Sequence, residues 1–156
     1  MKTLTLLFAS LVGSIFISFV AMKKNMPTTA PTTMLSNIEK TALLVSAKWK
    51  MTDETVLMNG KTTNTYKDYK TCFIDDIYTF FPDGNIVVDD NIIKCPNAQS
   101  QTTKGLWAMN MEDKNKLEIA FSMQFTAEIL TINTTNLVWK YQNQVGDIVT
   151  QTFTKQ

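Results

Sequence analysis

The chain has 156 residues, 15 Lys, no Arg, no His and 14 acidic residues, a formal net charge of +1. This length holds one domain with a sizeable core. A near-neutral surface lacks the electrostatic footprint of a nucleic-acid binder, and without Arg the chain lacks the side chain best suited to bidentate phosphate or base recognition. Without His it lacks the commonest general base and metal ligand. The expectation is a non-enzymatic protein with no cofactor, no metal and no nucleic-acid partner.

In chain order, Lys2 precedes an apolar run over residues 4–20 whose only polar members are Ser and Thr. Residues 1–22 therefore read as a signal peptide or an N-terminal membrane anchor. Phe19 stands where a cleavage site at Ala21 would want a small residue, and Lys23 and Lys24 follow as in a stop-transfer flank, so both alternatives stay open. Either way the domain is exported: periplasmic, cell-surface or secreted, touching a membrane only through residues 1–22 if these are uncleaved. Without Lys2 the charges balance, 14 Lys against 14 acidic residues. Residues 23–33, rich in Pro and Thr, read as an extended linker, and residues 34–156 as the folded domain.

Residues 34–45 have a helical period. Leu35, Ile38, Ala42 and Val45 share a face, and Ser36 stands three before Glu39 as in a capping box. Strands follow. In residues 48–58, Trp49, Met51 and Asp53 alternate with Lys50, Thr52 and Glu54, and Asn59-Gly60 is a turn signal. Residues 61–70, polar but for two tyrosines, read as a loop or a weakly specified edge. Strands are expected at 73–81, 85–88, 103–109, 116–121, 125–132, 137–142 and 148–154. Pro82-Asp83-Gly84 suits a tight turn with Gly left-handed. Leu117, Ile119 and Phe121 share one face of their strand, as Leu137, Trp139 and Tyr141 do of theirs.

Short connections force antiparallel neighbours, and an eight-stranded meander removes its edges by closing. The expected fold is thus all-β, an eight-stranded antiparallel up-and-down barrel preceded by one short helix. Such a barrel is just wide enough to be filled by side chains or to hold one small ligand.

Cys72 and Cys95, the two cysteines, permit a single intramolecular pairing, and export favours it. A loop of this length should give roughly 3–3.5 kcal/mol of stabilisation.

Four stretches carry a family resemblance: Ala47-Lys48-Trp49-Lys50 after the helix; Cys72 with residues 75–80 and Asp83-Gly84; Gly105-Leu106-Trp107; and residues 137–141 with 149–155. In order and spacing the chain resembles the small lipocalin-like domains of exported bacterial proteins, especially those of Bacteroidetes. Ala47 stands where that family usually has Gly. The resemblance implies an up-and-down lipocalin-like barrel, exported, usually with no known activity or ligand.

Among residues that invite a chemical role, adjacent Asp75 and Asp76 would point to opposite faces of a strand, so they read as a solvated strand start rather than an acid–base pair. Asp89-Asp90-Asn91 lacks the spacing and glycine of a calcium loop. The aromatic residues have two open readings. Tyr78, Phe80, Trp107, Phe121, Trp139 and Tyr141 either fill the barrel or line a cavity for a small hydrophobic molecule, and Trp49 is expected to plug the barrel base. The corresponding functions are an apolar-ligand carrier and, alternatively, a cell-surface interaction or structural module with a filled barrel.

Overall fold

The computed structural model describes residues 35–96 and 100–156. The leader or anchor expected at 1–22 and the linker at 23–33 lie outside the described residues. Helix α1 (Asn37–Val45) is followed by β1 (Lys48–Met58), β2 (Lys61–Asn64), a 3₁₀ turn at Tyr66–Asp68, the single-turn helix α2 (Thr71–Ile74), β3 (Ile77–Phe80), β4 (Asn85–Asp89), β5 (Thr102–Met109), β6 (Lys116–Ala120), β7 (Gln124–Ile132), β8 (Asn136–Gln142) and β9 (Ile148–Lys155). From β3 onward every strand pairs antiparallel with the next, and β1 closes the sheet onto β9 from Trp49–Lys155 to Leu57–Ile148. Eight strands, β1 and β3–β9, make a closed up-and-down barrel, the arrangement of the lipocalin-like barrels.

The short β2 stands outside the ring. It pairs with the end of β1, Thr55–Met58, on the same edge whose beginning, Lys48–Lys50, pairs with β3. The expected strand at 73–81 is shorter than its residues suggest, since Thr71–Ile74 coil into a helical turn and β3 begins only at Ile77. That turn carries Cys72 to Cys95 in the β4–β5 loop, and the two form a disulfide.

The base of the barrel is closed by α1. Ser36 caps the helix and, with Glu39, completes a capping box. The buried face, however, matches the periodicity only in part, for Leu35 and Val45 pack against the core but the other two positions do not. Ile38 is 82% exposed and Ala42 faces solvent, whereas Lys40 and Leu44 are buried. The Lys40 ammonium donates to the Lys114 carbonyl and to Asn115 Oδ1, and Asn37 Nδ2 donates to the Asn110 carbonyl, which pins the helix across the β5–β6 turn. These satisfied polar ends let a Lys stem occupy a core-facing position. Burial of that ammonium lowers its pKa. Trp49, fully buried beside Leu44, donates its indole N–H to the Leu44 carbonyl at 2.9 Å.

Inward positions alternate along each strand: Phe80, Ile86, Trp107, Leu117, Ile119, Ala127, Ile129, Leu137, Trp139 and Phe153 form a continuous core. Gly105 lies on the inward face of β5 under the Phe121 ring. A Cβ there would stand 2.5 Å from both that ring and the Ala120 carbonyl oxygen. Gly105→Ala should therefore cost about 1–3 kcal/mol, as overpacking against backbone does. Urea denaturation checks this, and an unchanged midpoint would contradict it.

Candidate functional site

A bulge in β1 decides what the upper barrel contains. Between Met51 and Asp53 the register against β9 slips by one residue, so the inward parity passes from Trp49 and Met51 to Glu54. The simple alternation, which pairs Asp53 with Met51, fails here. Glu54 is 5% exposed. Its Oε1 accepts from Thr65 Oγ1 at 2.7 Å, and its Oε2 accepts from the Tyr69 hydroxyl at 2.9 Å and from Gln151 Nε2 at 2.7 Å. Gln151, opposite Glu54 on β9, in turn accepts from Trp139 Nε1 at 2.7 Å. A polar chain thus crosses the barrel above its apolar core and holds the segment between β2 and α2 onto the wall. Burial, then the hydrogen bond to Glu54 and its charge, push the Tyr69 hydroxyl far above the ordinary tyrosine pKa. Burial, followed by the charges of Asp76, Tyr141 and Glu54, does the same to Tyr78.

Below this chain the aromatic rings pack on one another. Trp139 and Phe153 lie 4.5 Å apart between ring centroids, Tyr78 and Phe153 5.1 Å, Phe80 and Trp107 5.4 Å, and Phe80 and Trp139 6.3 Å. Trp107 donates its indole N–H to the Phe81 carbonyl. Of the six residues expected to line a cavity, Tyr78, Phe80, Trp107 and Trp139 are therefore stacked into the core. Phe121 and Tyr141 stand elsewhere, at the open end.

At that end the wall splits. The β7–β8 ladder stops at Glu128–Lys140, where a 3.0 Å ion pair joins the strands. The ladder of β6 with β7 runs on to Ala120–Gln124, and that of β8 with β9 to Gln142–Ile148. The two hairpins diverge and leave a cleft of about 730 Å³, lined on its apolar side by Phe121, Met123, Phe125, Tyr141 and Val145. The Phe125 and Tyr141 rings, 4.6 Å apart, lie where the strands part. Met123 and Val145 are largely exposed, and Gln144 Nε2 reaches Met123 Sδ across the gap. Phe125, Met123 and Val145 escaped the sequence reading because nothing in local periodicity marks where a ladder ends.

The loops by the disulfide hold a second polar group. Asp75 is not at a solvated strand start: it is 7% exposed, and its Oδ2 accepts from the Ile92 and Ile93 amides at 3.1 and 2.9 Å. Asp75 ends α2 rather than starting a strand, which turns its carboxylate into the β4–β5 loop. Asp76 is pushed up to about 7, first by burial and then by the charges of Asp90, Asp75 and Asp89. Among the described residues no group of three or more His, Cys, Asp and Glu is arranged to hold a metal ion.

Neither a family model nor a curated protein matches the chain. Solved structures similar to it include a redesigned β-barrel (12% identity, covering 75% of this chain and 95% of that one, TM-score 0.43) and a deswapped triple mutant of bovine odorant-binding protein (16% identity, 69% and 71%, TM-score 0.41).

Asp76 binds its proton more tightly in the fold than in the unfolded chain. Its contribution is fully present below about pH 4 and is lost as pH rises through about 7. Asp76→Asn should flatten the fall in Tm between pH 5 and pH 8 and raise Tm at pH 8. Melting curves at both pH values for the two proteins check this, and parallel pH profiles would contradict it.

Proposed function

We propose that the protein is an exported, non-enzymatic barrel that binds a small hydrophobic molecule at its open end rather than in its depth. The observation that carries this is the cleft between the diverging β6–β7 and β8–β9 hairpins, with Phe121, Phe125 and Tyr141 at its walls and Met123 and Val145 at its lip. A concave, mostly apolar site of several hundred Å³ with a few polar groups is the usual form of a small-molecule site. The disulfide is in keeping with an oxidising compartment, and the apolar run at residues 4–20 with an export signal or anchor. A bacterial host of the Bacteroidetes kind belongs to the same proposal and rests on the sequence resemblance.

A second reading, an interaction module that meets another protein, draws on the same end of the molecule. Leu57, Met58, Phe73, Ile92, Met123 and Val145 are all exposed there, and clustered exposed apolar residues mark interaction surfaces.

An environment-sensitive apolar dye such as N-phenyl-1-naphthylamine separates the two. The carrier reading expects saturable binding at one site per chain, weakened about tenfold or more by Val145→Asp or Tyr141→Ala, with the melting temperature of Val145→Asp unchanged. Absence of saturable dye binding would overturn it.

A further inference from the structure

The Glu54 carboxyl has no cationic hydrogen-bond partner among the described residues. Its three partners, Thr65, Tyr69 and Gln151, are neutral donors. The ion pairs among the described residues, Lys94–Asp89, Lys116–Asp113 and Lys140–Glu128, lie elsewhere. A carboxylate withdrawn from water without a counter-charge is costly even when hydrogen-bonded, and it favours any cation that can reach it. Oε1 accepts a single bond, from Thr65, and so keeps a lone pair to offer.

A shallow, open surface cavity of about 410 Å³ borders it, lined by Glu54, Thr65, Asp68, Tyr69, Lys70 and Phe73. Two carboxylates against one ammonium make these walls net negative. Lys70 is in no ion pair among the described residues and, as the one ammonium on these walls, would compete for the site. Tyr69 and Phe73 add aromatic faces, and the Tyr69 hydroxyl remains protonated because burial and Glu54 hold its pKa high. An aromatic face beside a carboxylate suits an organic cation better than a bare metal ion, since both the charge and the C–H body find partners.

We propose that this cavity binds a small organic ammonium ion, with its N–H groups donating to Glu54 Oε1 and its apolar body resting on Tyr69 and Phe73. The cavity is distinct from the mouth cleft, so the two assignments stand or fall separately.

The test is an amide chemical-shift titration of the protein with 2-phenylethylamine and, in parallel, with the near-isosteric neutral 2-phenylethanol. The amine should bind about tenfold or more tightly than the alcohol, as a charge-assisted hydrogen bond allows, and should shift the amides of Glu54, Thr65 and Tyr69. Glu54→Gln should erase the amine's advantage over the alcohol. Lys70→Gln, which removes the competitor and sits on the surface, should strengthen amine binding. Equal affinity for the two compounds in the wild type would overturn the proposal, as would shifts centred away from residues 54 and 65–73, or a folded Glu54→Gln that binds amine like the wild type. Should Glu54→Gln fail to fold, the wild-type comparison and Lys70→Gln decide the matter alone.

Discussion

β1 has two edges and three neighbours, and the barrel is shaped by how it serves them. One edge runs along β9 for nearly its whole length and closes the ring. The other is shared, β3 taking Lys48–Lys50 and β2 taking Thr55–Met58. No single strand can cover that second edge, because β3 starts late, after the helical turn that sets Cys72 against Cys95. The bulge between Met51 and Asp53 belongs to the same constraint. It bends the strand, as bulges do at barrel corners, and it exchanges an apolar inward series for one that continues with Glu54.

That exchange divides the interior. Below the bulge, Trp49, Phe80, Trp107, Trp139 and Phe153 fill the space, each indole N–H finding an acceptor. Above it the Trp139–Gln151–Glu54–Tyr69 chain of hydrogen bonds takes over, and the segment from β2 to α2 lies on top. A buried network of this kind is tolerable only when its members are satisfied, and each of the Glu54 oxygens has a partner. Eight strands leave an interior that side chains of this size can fill. Space for a ligand then appears where pairing ends, at the split between β7 and β8.

Much of the barrel was legible in the residues. Alternation over 116–121 and 137–142, turn signals at Asn59-Gly60 and Pro82-Asp83-Gly84, and the Ser36–Glu39 capping box each report a local preference, and the structure keeps them. The disulfide followed from there being two cysteines. The losses have one physical cause: they depend on tertiary register. The Met51/Asp53 bulge moves Glu54 inward, the helical turn at Thr71–Ile74 shortens the next strand, and the β5–β6 turn recruits Lys40 in place of Ile38. Of the aromatic residues singled out, sequence spacing told which face they occupy but not their height along the barrel. Height separates Phe121 and Tyr141 at the mouth from Phe80, Trp107 and Trp139 in the core.

A filled interior beneath an open mouth is most directly tested at the three indole N–H groups. In a ¹⁵N-correlated spectrum, Trp49, Trp107 and Trp139 each give one indole signal, and each N–H is hydrogen-bonded inside the protein. When an apolar dye saturates the protein, these three signals should stay in place while the amides of residues 121–126 and 141–145 move. Displacement of the Trp107 and Trp139 indole signals with the mouth amides still would contradict a filled barrel and place the ligand in its depth.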